Sequence, residues 1–290
     1  MSKSYDDSYP GKVTDDQLKK QAIQDSIAEN KYQFPTEAVE LPSKGLCYPK
    51  DNPLSSGKIQ MKYMTAKEED ILTSVNLIRK GTVLDELFKS LIITPINYND
   101  LIVGDKNAIM IASRILGYGS DYRFFATCPA CGAKNEMSVN LSDLGESKFD
   151  ESILSNMGEH GFLEWELPAS KRKLQFTLVT HKIEKAVQKE IEARRKVVKN
   201  GVDPEITTRF KHMITSVDGN DEKKYISNFV ENEFLSRDSY AFREYINTIQ
   251  PDVDFNINLE CSECGHNATL ALPIDAGFFW PRSDKSKKYF

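Results

Sequence analysis

Apolar residues early in the chain recur every three or four positions, and beyond residue 120 they fall into strict alternation interrupted by longer helical stripes. The spacing predicts a short amphipathic helix over 16–32 carrying Leu18, Ile23 and Ile27, then a Pro-, Gly- and Ser-rich loop, "ELPSKGLCYPKDNPLSSGK". "KIQMKYM" alternates as a strand, and Thr65 with Glu68 reads as a capping box opening one helix, "AKEEDILTSVNLIRK", that ends at Gly81. Further helices fit 83–91, with Leu84, Leu87, Phe88 and Leu91 on one face, and 105–116, with Ile109, Ala112 and Leu116 together.

Alternation takes over at Tyr122, Phe124 and Ala126 and again at Met137, Val139 and Leu141. "SDLGESKFDESILSNMGEHG" reads as a weakly ordered polar connection. "FLEWELP" and "KLQFTLVT" read as a hairpin, followed by a long helix from His181 with a narrow stripe of Ile183, Val187, Ile191 and Val198. Helices are expected over 204–217, 222–234 and 237–249. "VDFNINLE" then alternates Val253, Phe255, Ile257 and Leu259 with polar residues, and Ala268, Leu270, Leu272 and Ile274 continue the pattern.

The two best alternating stretches each surround a Cys-x-x-Cys-Gly turn, which together use four of the five cysteines: Cys128, Cys131, Cys261 and Cys264. A turn of this spacing can aim both sulfurs at one point, and Gly132 and Gly265 supply the left-handed residue the turn requires. Two such turns complete a tetrahedral thiolate shell, so these residues are expected to hold one structural zinc ion between two hairpins, as in a zinc ribbon. An asparagine follows each turn, Asn135 and Asn267. The competing readings are metal-free reduced hairpins and thioredoxin-type redox chemistry, the latter opposed by the lack of a helix after either pair. His266 could replace a ligand but is expected to face solvent, and Cys47 reads as a small packed residue. A four-thiolate site has no open coordination position, so it holds architecture and leaves catalysis unserved.

Composition narrows the rest. At 290 residues and 40% hydrophobic, the chain can bury a core without cross-links, and a net charge of −5 gives no general attraction to nucleic acid or an anionic membrane. Neither a membrane span nor a secretory signal is expected, which places synthesis in a reducing cytoplasm where paired cysteines favour metal. No phosphate loop, dinucleotide fingerprint, nucleophile elbow or His-Glu-x-x-His occurs, and His160, His181, His212 and His266 lack ligand-spaced partners. The acids of "KEED" at 67–70 read as helix-start residues, and the basic run "EARRK" at 192–196 as a solvated helix end. The terminal "GFFWPRSDKSKKYF" fits either a packed strand end with a tail or a docking peptide.

These residues carry a resemblance. Leu41, Pro42, Ser43 and Gly45, then Glu68 and Glu69, Arg114 and Gly117, and finally Cys128 and Cys131 with a following alternating strand, form a pattern over about residues 40–145. It resembles the baseplate protein family of T-even-type contractile-tailed bacteriophages, whose members are hub subunits and hub-assembly factors. The resemblance implies a non-catalytic structural component of the virion tail baseplate, assembled in the host cytoplasm. Its partners would be other baseplate hub and tail tube proteins, met through the polar arms and the C-terminal tail.

The expected architecture is α+β. A polar arm with a short helix (1–45) precedes a core domain with the zinc ribbon (46–145 plus 251–280), a helix-rich insertion (146–250) and a tail (281–290). The runner-up function is a nucleic-acid-binding zinc-ribbon protein related to transcription, which the net charge and the Asp, Asn and Glu at exposed strand positions oppose. A third is an enzyme with an unrecognised site within 146–250.

Overall fold

The computed structural model describes residues 35–197, 204–274 and 278–279; the helix expected over 16–32 and the tail at 281–290 lie outside the described residues. Strand β1 (Thr36–Glu40) pairs antiparallel with β2 (Lys58–Lys62), Thr36 opposite Lys62 and Glu40 opposite Lys58. Helices α1 (Ala66–Thr73), α2 (Val75–Lys80), α3 (Val83–Leu91) and α4 (Val103–Tyr118) follow. Hairpin β3 (Asp121–Thr127) with β4 (Lys134–Asn140) comes next, then helix α5 (Glu151–His160) and strands β5 (Leu163–Glu166) and β6 (Lys173–Phe176). Helices α6 (His181–Val197) and α7 (Glu205–Met213) lead to strand β7 (Ile214–Val217). After α8 (Lys223–Asn228) and α9 (Ser236–Ile249) the described chain closes with hairpin β8 (Asn256–Glu260) and β9 (Asn267–Ala271). The class is α+β, with helices around small antiparallel sheets. No described helix is long and apolar enough to cross a membrane.

Five local readings need correction. The single helix expected from Ala66 to Lys80 breaks at Ser74, which takes an extended conformation (φ −67°, ψ 105°) between α1 and α2. Serine competes poorly inside a helix and well at its ends, and the residues beyond the break bury little: Val75 is 59% and Ile78 50% exposed. The stretch read as a polar connection contains α5. Its start is fixed by Asp150, whose carboxylate accepts from the Ser152 amide at 2.9 Å, and it buries Leu154 and Met157. The helix expected over 204–217 stops at Met213, and Ile214–Val217 becomes the third strand of the β5-β6-β7 sheet. Strand β1 was hidden because in "TEAVE" only Val39 is even partly buried. The helix expected over 222–234 is α8 continued by a π-turn over Phe229–Glu233.

The Pro- and Gly-rich loop between β1 and β2 is tied inward. Ser43 donates through its amide (3.0 Å) and hydroxyl (2.7 Å) to the Asp105 carboxylate at the start of α4, which also accepts from the Tyr48 hydroxyl at 2.6 Å. Leu41, Cys47 and Tyr48 are buried beneath it. Within residues 146–250 the three-stranded sheet and α9 enclose an aromatic cluster. Trp165 stacks on Tyr245 at 4.7 Å and 6°, and Phe176 meets Phe242 edge-on at 4.9 Å.

The segment's two ends lie side by side. Glu146 bridges Val253, the Ser147 amide donates to the Asp252 carbonyl at 2.8 Å, and the Asp254 amide to the Gly145 carbonyl at 2.8 Å. Close by, Gly104 in α4 passes so near the Pro251 carbonyl that a Cβ there would lie 1.8 Å from its oxygen. Phe278 and Phe279 are buried, Phe278 edge-on to Tyr122 at 5.0 Å, so this part of the terminal segment is packed and not offered for docking.

Candidate metal centre

Each cysteine turn is built by its hairpin. The Cys128 amide donates to the Ala133 carbonyl and the Gly132 amide to the Cys128 carbonyl, both at 2.9 Å. The second turn repeats this with Cys261 to His266 at 3.0 Å and Gly265 to Cys261 at 2.9 Å. Gly132 (φ +72°) and Gly265 (φ +68°) occupy the left-handed conformation expected of them.

The fold brings the two turns together. The four sulfurs of Cys128, Cys131, Cys261 and Cys264 all lie within 4.8 Å of one another. Cys128 Sγ is 3.8 Å from Cys264 Sγ, and Cys131 Sγ is 3.6 Å from Cys261 Sγ. These distances exclude disulfides, whose sulfurs sit about 2.05 Å apart. They match the roughly 3.8 Å between thiolates placed tetrahedrally about a cation with bonds near 2.3 Å. Cys128 and Cys261 are buried, while Cys131 and Cys264 are exposed, so a cation could enter from one side. Cys47 lies apart, buried in the core, with its thiol pushed up by that burial. The His266 side chain is exposed, as expected, and its backbone serves the turn, the carbonyl accepting from the Cys261 amide and the amide favouring the Cys264 thiolate.

The electrostatics favour a shared cation. Backbone amides of Cys264 and Glu263 pull the Cys261 thiol down to about 6. Cys264, although the His266 amide favours its thiolate, is pushed up to about 12 by the neighbouring sulfurs of Cys131, Cys261 and Cys128. Four sulfurs this close cannot all ionise alone, and a divalent ion is the partner that lets them. The donor set is therefore chemically fit for a metal with a preference for soft ligands.

The pairing of Asn135 with Asn267 does not survive the register. Lys134 opposes Thr127 and Asn267 opposes Glu260, so Asn267 corresponds to Lys134, and Asn135 to Ala268. Asn135 is 6% exposed and reaches across to the other turn, whereas Asn267 is exposed.

A second cluster went unseen in the sequence. His181, 2% exposed at the start of α6, presents Nε2 to the Asp85 carboxylate at 3.4 Å and Nδ1 to Lys106 Nζ at 3.3 Å. Asp85 also accepts from the Tyr98 hydroxyl at 3.1 Å and faces Lys106 and Lys185 at 3.5 and 3.7 Å. Burial and then Asp85 raise the Tyr98 hydroxyl; Glu184, which burial alone would raise, is held below its ordinary value by His181 and Lys106. The one available signal was Asp85 itself, an acid inside the apolar face of α3. The cluster fastens α3 and α4 to α6. The adjoining cleft of about 680 Å³ is lined by charges of both signs, including Lys80, Glu192 and Arg209.

The remaining candidates are structural. Glu68 caps α1 and is buried, Glu69 and Asp70 are exposed, and "EARRK" lies on an exposed stretch of α6 with Arg194 facing Glu231 at 3.8 Å. The buried Arg114 donates to the Gly119 and Asp121 carbonyls at 2.7 and 3.2 Å, pinning the turn into β3.

The architecture is thus a mixed body with two hairpins converging on four thiols. No curated protein sequence and no solved structure matches the chain. Residues 36–280, from the first strand past both cysteine turns, do match the sequence model described as T4 bacteriophage base plate protein, and the chain belongs to that family.

Proposed function

We propose that this baseplate protein is a non-catalytic hub subunit, or a factor in hub and tail assembly, whose two hairpins are clasped by one structural zinc ion on Cys128, Cys131, Cys261 and Cys264. The observation that carries the zinc reading is the convergence of four sulfurs from two distant turns at tetrahedral spacing. When bound, the ion supplies cross-linking, and the four thiolates leave it no position for water or substrate. Family membership makes the chain part of a multi-subunit phage assembly of the virion tail. Within it, residues 46–145 with 251–280 form the body and 146–250 an inserted module. The segments 1–35 and 281–290 reach neighbouring hub and tube subunits, while residues 36–45 belong to the body, where β1 pairs with β2 and Ser43 is bound to Asp105.

Two measurements test this. Metal analysis of protein purified without chelator should give about one zinc per chain, reduced in Cys131→Ser; well-folded protein carrying no metal would end the zinc reading. Purified phage particles should contain the chain at fixed stoichiometry if it is a hub subunit and lack it if it acts only in assembly. Salt-dependent binding to DNA would instead favour the nucleic-acid reading. The exposed Asn256, Asn258 and Glu260 along β8 argue against that outcome.

A further inference from the structure

The two cysteine turns are equivalent in backbone but not in their support. The Asn135 side chain projects from the first hairpin into the second turn. Its Oδ1 accepts from the Ser262 amide at 2.9 Å and the Ser262 hydroxyl at 3.0 Å. Its Nδ2 donates to the Ala133 carbonyl at 3.2 Å and lies 3.7 Å from Cys261 Sγ, within range of an N–H to sulfur hydrogen bond. A single buried amide therefore contacts both turns and one of the sulfurs. The corresponding place on the second hairpin is Ala268, which has no polar group to return the contact.

We propose that Asn135 is a positioning residue of the zinc site. It orients the Cys261 sulfur toward the shared ion and, by donating to it, stabilises that sulfur's negative charge. The proposal rests on the zinc reading above. A hydrogen bond to a ligating thiolate draws electron density from sulfur, which makes the metal centre sensitive to this one donor. The Oδ1 contacts do a separate job: they hold the backbone of the second turn against the first hairpin whether or not an ion is bound.

The variant that separates the two jobs is Asn135→Asp. It keeps the shape and the acceptor for Ser262 and replaces the donor to Cys261 and Ala133 with a charged oxygen. Asn135→Ala, which removes the donor without adding charge, is therefore measured beside it and must move the band the same way. Ser262→Ala is the complement, removing one contact on the acceptor side and leaving the sulfur contact intact. Zinc affinity is measured by competition with a chromophoric chelator, and the full chain loaded with cobalt is read by its thiolate-to-metal charge-transfer band. Asn135→Asp is expected to weaken zinc binding on the order of 10–100-fold and to shift the cobalt band to longer wavelength, because the sulfur becomes more electron-rich. Ser262→Ala is expected to leave the band in place.

Wild-type affinity and an unmoved band in Asn135→Asp would overturn the proposal while leaving the zinc reading intact. A wild-type chain that binds neither zinc nor cobalt would overturn both. If Asn135→Asp does not fold, Asn135→Ala read by the same band position decides the matter. A merely structural role would lower the amount of metal bound without moving the band.

Discussion

Replacing Glu68 with glutamine isolates the effect of one buried charge on the stability of the whole body. The Glu68 side chain is fully buried and its carboxylate accepts four hydrogen bonds: from Lys62 Nζ at 2.8 Å, Ser90 Oγ at 2.7 Å, and the Thr65 amide and hydroxyl at 2.9 and 2.7 Å. These partners belong to β2, α3 and the start of α1, so one side chain ties three elements together. Burial by itself would raise its pKa, but the bonds from Lys62, Ser90 and Thr65 outweigh it and bring the carboxyl from 4.5 down to about 2. At 1.36 kcal/mol per unit that difference corresponds to roughly 3.4 kcal/mol, and screening at the partly exposed Lys62 reduces it to about 2–3 kcal/mol.

The sign follows from linkage. A carboxyl whose pKa is depressed on folding contributes its full stability above the unfolded value, near 4.5, and loses it as pH falls toward 2. More than half of the contribution should be gone by about pH 3. Glu68→Gln removes the charge and keeps the shape. Urea denaturation of both chains should therefore show the variant less stable by about 2–3 kcal/mol at pH 7, with the gap shrinking by well over 1 kcal/mol at about pH 3. Carboxylates elsewhere titrate alike in both proteins and cancel. A gap of the same size at both values would show that glutamine disturbs packing and that the charge contributes nothing.

Asp85→Asn leaves Lys106, Lys185 and His181 facing a neutral group and should cost about 2–4 kcal/mol by urea denaturation. Gly104→Ala drives a methyl against the Pro251 carbonyl, so a loss of about 3 kcal/mol and a lower Tm are expected, with wild-type zinc content in whatever folds. Ser43→Ala withdraws a hydroxyl from the buried Asp105, whose carboxyl burial raises despite the bonds from Tyr48 and Ser43. An acid raised on folding favours the folded state only while protonated, so the deficit of about 1–3 kcal/mol should widen from acid toward neutral pH. Chelation of the proposed zinc should speed hydrogen exchange at amides 128–135 and 261–267 while leaving Phe176 and Phe242 amides protected.

What could be read from the sequence was whatever a single element decides for itself. Tyr122, Phe124 and Ala126 alternate because one face of β3 is buried, and the cysteine turns announce themselves by spacing and glycine. Helix α3 was legible to the residue because Leu84, Leu87, Phe88 and Leu91 recur at helical spacing, although Asp85 is buried among them. Features set by a distant partner were not legible. Ile214–Val217 follows a helical stripe without a turn signal and becomes a strand only because Leu174 and Gln175 of β6 offer an edge. Strand β1 has almost nothing to bury, and exists because β2 needs a partner. The four cysteines were visible, but the role of Asn135 was not, since local repetition paired it with Asn267 and only the register reveals Ala268 as its counterpart.

That difference bears on where the stability of the molecule resides. Each cysteine hairpin is two-stranded, a size marginal on its own in water, and each turn has one of its two cysteines buried and the other exposed. The body, in contrast, is closed by contacts that need no metal: Asp105 holding the β1–β2 loop, Asp85 and His181 joining α3 to α6, Glu146 and Val253 pairing where the inserted segment enters and leaves. The proposed clasp on Cys128, Cys131, Cys261 and Cys264 would therefore act on the relative placement of the two turns and leave the closure of the body to those contacts. Fixed tips on a stable body are what a subunit needs if it is to present the same surface at every copy of a multi-subunit assembly, and the geometry of Asn135 extends that fixing from the backbone to a single sulfur.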